Sequence, residues 1–445
     1  MRVDAPAVHE QVMRAARAQG VAEVETIVSA ADQALTRFAN NGIHQNVAEN
    51  AAHLSVRARV EGRTARATTD RLDADGIRAA VEQAIALTRL TEPDEESLPM
   101  AEAAEYRAVD RWKESTAHVT PRERAEAVAE AIAAVEAAGQ TAAGMYSTDA
   151  VEYALLNSRG VDARYRETMA RFSITAMAAG SSGWAKASAC DHTDLDPVEL
   201  AASAARKATQ SAAPRELPPG RYTVILEPAA VLDLVGQMFG DFGATAIRDG
   251  RSFLNDRIGQ QIFGANVTIH DDAWHPLQAG APFDGEGVAR RRLTLVENGV
   301  VRDIAYCRQA AALAGVAPTG HGFPLPNEYG ESPVNIVIAG GDSSVEKMVA
   351  STERGILVTR LWYIREVDPY EKIFTGMTRD GTFLIEGGEV RAGVRNFRFN
   401  QGLMEMLSNV EALGPAVRAS GEETFDMVVP AMKVREFNFT EVTRF

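Results

Sequence analysis

Residues 211–228, SAAPRELPPGRYTVILEP, divide this chain into two parts of different character. Pro214, Pro218, Pro219 and Gly220 stop a preceding helix, because proline has no amide hydrogen to donate and glycine stiffens nothing. The run Tyr222 to Leu226 then has the β-branched and aromatic make-up of a strand. A boundary near Leu217 follows. Beyond it, strand-like runs dominate: 265–271 (ANVTIHD), 291–306 (RRLTLVENGVVRDIAY), 333–339 (PVNIVIA), 355–367 (GILVTRLWYIREV), 381–393 (GTFLIEGGEVRAG), 394–399 (VRNFRF) and 432–439 (MKVREFNF). Asn298-Gly299 and Gly387-Gly388 are hairpin turn signals, so the pairing is expected to be largely antiparallel, a sheet or barrel-like body. Helices are predicted over 229–242, 343–351 and 401–413.

The part before the boundary carries a repeat. Gly42-Ile43 falls on Gly160-Val161 at a shift of 118, and the same shift lays Glu49 on Glu167, residues 53–56 on 171–174 and Gly62 on Gly180. After a five-residue insertion Leu72-Asp73 falls on Leu195-Asp196, each pair opening an alanine-rich helix that ends near Arg89 or Gln210. The expected plan is α+β: two strand-hairpin-plus-helix units, 1–100 and 101–216, then a β-rich domain, 217–445. Asn41-Gly42 is the hairpin signal of the first unit, and the acidic, proline-interrupted stretch 91–106 reads as a connector.

Composition narrows function by exclusion. With 61 acidic and 46 basic residues the formal charge is −15, which disfavours direct nucleic-acid binding unless basic residues are segregated. The densest basic run, Arg290-Arg291-Arg292, reads as a solvated strand end. Cys190 and Cys307 are too few and too far apart for a disulfide framework or a cysteine-based zinc site. The first twenty residues carry charges throughout, and no apolar run reaches the roughly 18 residues of a membrane span, so a cytoplasmic protein without membrane contact is expected.

Local motifs identify no chemistry by themselves. No two of the eight histidines lie four apart, as a His-Glu-x-x-His zinc helix requires. His270 and His275 with Asp271 and Asp272 form the one local cluster of ligand-type side chains, and it reads first as a polar turn leaving the strand rather than as a metal site. No Gly-x-Ser-x-Gly elbow occurs. The glycines before Asp342 and Ser343 could precede an anion-holding helix, although both residues are ordinary caps.

A set of ordered segments carries a resemblance: 226–236 (LEPAAVLDLVG), 252–262 (SFLNDRIGQQI), 267–272 (VTIHDD), 282–306 (PFDGEGVARRRLTLVENGVVRDIAY), 318–322 (PTGHG), 340–363 (GGDSSVEKMVASTERGILVTRLWY), 376–396 (GMTRDGTFLIEGGEVRAGVRN) and 403–414 (LMEMLSNVEALG). Together with 37–50 (RFANNGIHQNVAEN) they resemble the TldD/PmbA family, also called modulators of DNA gyrase. The resemblance implies a metalloprotease-related protein. Its TldD-like members carry His-Glu-x-x-x-His on the helix after the first C-terminal strand, and a cysteine ligand in the final segment. Here Leu232, Asp233 and Gln237 occupy the three helix positions, and no cysteine or histidine follows His321.

This departure matches the PmbA-like or TldE-like branch. The resemblance therefore implies a subunit without its own metal or cofactor, paired with a TldD-like homologue that holds the zinc, acting on unfolded peptides bound as extended chains. The strand at 355–367 could offer such an edge or lie inside a sheet. Asp233 and Gln237 mark the degenerate site; Asp284, Glu286 and His321 are further site or groove candidates. Two other readings stay open: an active hydrolase using Asp284 and Glu286 with His270 or His321, and a peptide-binding protein without a protease partner.

Overall fold

The repeat folds into one sheet. In the computed structural model, which describes residues 3–443, the first unit comprises α1 (Ala5–Ala18), β1 (Glu23–Ala39), β2 (Gly42–Val60), β3 (Arg63–Thr69) and α2 (Ala74–Leu90). The second comprises α3 (Glu114–Ala117), α4 (Pro121–Ala137), β4 (Thr141–Asn157), β5 (Asp162–Ala178), β6 (Ser181–Ala189) and α5 (Pro197–Gln210). The six strands lie in the order β3-β2-β1-β4-β5-β6, with β1 and β4 antiparallel at the centre.

The aspartates that the repeat aligns are both helix caps. Asp73 accepts the amides of Asp75 and Gly76 at 3.1 and 2.8 Å, and Asp196 accepts that of Glu199 at 2.9 Å. The first hairpin reverses one residue earlier than its Asn-Gly signal suggests: Asn40 and Asn41 have φ of 51° and 60°, and Gly42 already pairs with Ala39. Asparagine tolerates the left-handed region that this tight turn needs.

One face of the sheet is covered by helices. α1 and α2 pack over Val24, Val28, Leu54 and Val56, while α4 and α5 pack over Phe38, Tyr146, Phe172 and Ile174. The opposite face meets the C-terminal part, where Ile27, Leu155, Val161 and Ala163 surround Phe283.

The C-terminal part runs β7 (Gly220–Leu226), α6 (Pro228–Val235), a 3-10 segment (Gly236–Phe242), α7 (Ala244–Arg248), β8 (Ile269–Asp271), β9 (Leu293–Glu297), β10 (Val300–Val301), α8 (Arg308–Ala314), β11 (Ile336–Ile338) and α9 (Val345–Ala350). There follow β12 (Arg354–Asp368), β13 (Ile373–Glu386), β14 (Glu389–Gly393), β15 (Phe397–Gly402), α10 (Leu403–Ser408), β16 (Val410–Leu413), β17 (Val417–Ala419), β18 (Met427–Val429) and β19 (Met432–Val442). β12-β7-β19-β15-β13 close into a five-stranded barrel through the β12–β13 pairing, and only β7 and β12 run parallel. A second sheet, β10-β9-β8-β11-β18-β17, shares the barrel's core. Within that core Phe397 stacks on Phe439 with ring centres 4.6 Å apart.

Two expected helices are shorter than their patterns. The one predicted over 401–413 ends at Ser408, and Val410–Leu413 pairs with β19 instead, since a few apolar residues at a helix end read equally as a short buried strand. The other is capped by Ser344, whose hydroxyl accepts the amide of Lys347, rather than by Asp342 or Ser343.

A buried triad ties the sheet to the C-terminal part. Glu25, fully buried, accepts Arg57 at 2.8 Å and Arg66 at 2.6 Å, while Arg66 Nε also donates to the carbonyl of Leu325 at 2.7 Å. Glu25→Ala should cost about 3 kcal/mol or more, because it strands a buried guanidinium. Glu23→Ala, at a partly exposed pair with Arg59, should cost under about 1 kcal/mol, and urea unfolding of both variants checks the contrast.

Candidate functional site

The barrel's first strand feeds directly into α6, so β7 fixes where residues 232–237 lie. Leu232 is fully buried and presents only carbon. Asp233 is equally buried; its Oδ1 accepts the amides of Glu422 and Glu423 at 3.0 and 2.9 Å, and its Oδ2 has no hydrogen-bond partner among the described residues. Gln237 is half-buried and donates its amide to the carbonyl of Asp233 at 3.2 Å. Thr424 closes the loop's end by donating to the carbonyl of Leu232 at 3.1 Å.

Backbone fills the space a metal would need. A Cβ on Gly421 would overlap both Asp233 Oδ1 and Leu232 Cδ2, so the 421–424 loop lies directly on the helix. From its other side Glu423 accepts the amides of Tyr363 and Ile364 on β12 at 2.8 and 3.3 Å, and Lys186 of β6 reaches Glu422 at 3.3 Å. The donor set and the space therefore do not fit a zinc ion: one position is hydrocarbon, one carboxylate holds two amides, and the loop offers neither cysteine nor histidine. Burial pushes Asp233 up to about 7 against the two amides and Arg360.

A second constellation gathers Asp284, Glu286 and His321. Asp284 Oδ1 accepts the amides of Glu286 and Val288, both at 2.9 Å, and its Oδ2 that of Gly322 at 2.7 Å. Glu286 accepts the amide of Arg308 at 2.8 Å, and a Cβ on Gly322 would overlap its carboxylate. Burial raises both acids above the usual carboxylate range, and for Glu286 the charge of Asp284 adds to it.

His321 is buried next to Gly322, with Nδ1 2.9 Å from the Thr319 hydroxyl and Nε2 3.2 Å from Asp271 Oδ1. Burial works against the charge of Asp271, but His321, Arg290 and the amide of Asn335 outweigh it and hold the group at about 2. Sequence reasoning missed one member of this neighbourhood: Glu331, buried, accepts the amides of Thr245 and Cys307 at 2.7 and 3.1 Å. No residue pattern announces it, since its partners come from remote loops.

The remaining candidates separate. His270 lies on β8 with Nδ1 buried and unpartnered among the described residues, and His275 lies in the turn beyond, accepting the amide of Leu277 at 3.3 Å. Burial lowers both. Cys307 caps α8 and is pushed up to about 12 by burial and Glu331, which makes it a poor nucleophile. Among the described residues no group of three or more His, Cys, Asp or Glu side chains is placed to hold a metal, and no helix is long and apolar enough to cross a membrane. β12 stands in the barrel wall, paired on both sides over Gly355–Val358 and with β13 beyond.

Residues 219–441 match the PmbA/TldA metallopeptidase C-terminal domain, 114–212 the central domain and 24–88 domain 1. The chain belongs to the TldD/PmbA family. It is similar to a protein named metalloprotease from Methanothermobacter thermautotrophicus, 26% identical over 283 residues, a match that spans only 60% of either chain. It is also similar to metalloprotease PmbA of Escherichia coli O157:H7, at 25% identity over 84% of this chain and 83% of that one. The fold is that of TldE from Thermococcus kodakarensis, with a TM-score of 0.89 at 22% identity, over 97% of this chain and all of that one.

Asp233 gives this family member a pH signature. Its proton is held up to about pH 7 when folded but released near pH 4 when unfolded, so its contribution to stability is full at low pH and is lost as pH rises through 7. Asp233→Asn, which imitates the protonated form, should raise the melting temperature at pH 8 by several degrees and change it little at pH 4. Thermal unfolding at the two pH values checks this.

Proposed function

We propose that this chain is the non-catalytic, PmbA/TldE-like subunit of a heterodimeric metalloprotease that acts on unfolded peptides in the cytoplasm, with the zinc held by a TldD-like partner. The observation that carries the reading is the 421–424 backbone seated on Leu232 and Asp233, where the catalytic type would place its ligands. The hydrolase reading built on Asp284 and Glu286 is less well supported, because both carboxylates already hold main-chain amides.

An exposed strand edge supports the partner. β2 pairs with β1 along its length, but β3 ends, at Thr69, opposite Leu54, leaving residues 42–53 with no strand on their outer side among the described residues. The repeat-related stretch of β5 is partly covered, since the amide of Thr168 donates to the carbonyl of Arg111, in the segment between α2 and α3, at 2.9 Å. The bare stretch carries neither proline nor lysine, the usual protections of an edge, and it exposes Ile43 and Val47 at 41% and 37%. A homologous subunit adding a strand there would complete the sheet.

Co-expression with a TldD-like protein should give a stable complex burying more than about 1,000 Å2, with peptidase activity on an unstructured peptide only in the mixture. Replacing the partner's catalytic glutamate should abolish turnover, while Asp233→Ala here should leave it nearly unchanged. Loss of cleavage on Asp233→Ala, Asp284→Ala or Glu286→Ala within an intact complex would transfer catalysis to this chain. At the edge, Ile43→Lys with Val47→Lys should weaken the complex at least about tenfold without lowering the melting temperature of the isolated chain, as read by analytical ultracentrifugation and thermal unfolding.

A further inference from the structure

We infer that a cavity beside Trp274, away from α6, is a binding site for a small diphosphate-bearing anion. The cavity measures about 470 Å3, within the range of small-molecule sites, and four arginines line it: Arg107 from the segment between α2 and α3, and Arg290, Arg291 and Arg292 from the segment leading into β9. Sequence spacing could not show this convergence, because Arg107 lies far from the other three.

The charge there is poorly compensated. Glu105 and Asp272 are the cavity's carboxylates, and Asp272 is engaged by Arg292 at 3.3 Å and by the amide of Trp274 at 3.0 Å. Arg291 is exposed, and its guanidinium has no hydrogen bond or ion pair among the described residues. Arg107 stacks on Trp274, its guanidinium carbon 4.9 Å from the ring centre, while the indole nitrogen donates to the carbonyl of Arg107 at 3.2 Å. Arg290 donates to the carbonyl of Gly320 at 2.9 Å, faces the buried Asp271 and Asp284, and keeps a buried Nε with no partner. Behind the turn Arg111 adds a further positive charge by donating to the carbonyls of Ala273 and His275.

A chain of net charge −15 has carboxylates in excess, yet gives Arg107 and Arg291 no ion pair among the described residues. Guanidinium forks fit phosphate oxygens in pairs, and they are placed here before any ligand arrives. A diphosphate brings several negative charges into one small volume. Peptide carboxylates bring one each at wider spacing, so the phosphate class is favoured.

Titration calorimetry of the intact chain with inorganic pyrophosphate at low salt tests the inference, with hexaglutamate as the competing probe. The expected result is saturable binding of one pyrophosphate per chain, accompanied by a fluorescence change that disappears in Trp274→Phe. Arg291→Glu, at a side chain without structural partners, should weaken binding at least about tenfold while the melting temperature holds. No saturable pyrophosphate binding, an unaltered affinity in Arg291→Glu, or hexaglutamate binding as tightly with the same sensitivity would each overturn the inference.

Discussion

The arrangement of the C-terminal part turns on one carboxylate, that of Asp233, accepting two consecutive main-chain amides inside a fully buried site. Those amides belong to Glu422 and Glu423, so the bond fixes the 421–424 loop on α6; Glu423 then carries the restraint to β12 through the amides of Tyr363 and Ile364. Lys186 and Ser188 of β6 continue it into the N-terminal sheet, by Glu422 and by Asp426 at 2.9 Å. An unpaired carboxylate would be costly in this position, and two amides make it tolerable. A helix face closed by backbone cannot also present ligands.

The same use of acids recurs elsewhere in the C-terminal part. Asp271, Asp284, Glu286 and Glu331 are buried, and each accepts at least one main-chain amide from a residue remote in sequence. The shifts of Asp271, Asp284 and Glu286 follow from burial, from those amides and from neighbouring charges. Perturbed acids cluster at catalytic sites, but they cluster also where carboxylates replace missing backbone partners, and each acid here holds a main-chain amide.

Much of the fold was legible because its signals are local. The proline-rich run before Gly220, the turn pairs Asn298-Gly299 and Gly387-Gly388, and the repeat that aligns Asp73 with Asp196 each depend on residues close in sequence. Asn40 and Asn41 displaced the first turn by one residue, and the end of the 401–413 helix became β16, because short apolar runs have no period of their own. The site was less legible. Leu232 at a ligand position could be read directly, whereas the closing of that position by Gly421, the anchoring of Cys307 by Glu331 and the meeting of Arg107 with residues 290–292 arise only from tertiary contacts.

The central claim is that this chain carries no catalytic metal of its own. Elemental analysis of the isolated chain, purified without chelator and dialysed mildly, tests it most directly. The account predicts well under one zinc per chain, unaltered in Asp233→Ala. One zinc per chain that is lost in Asp233→Ala would contradict it.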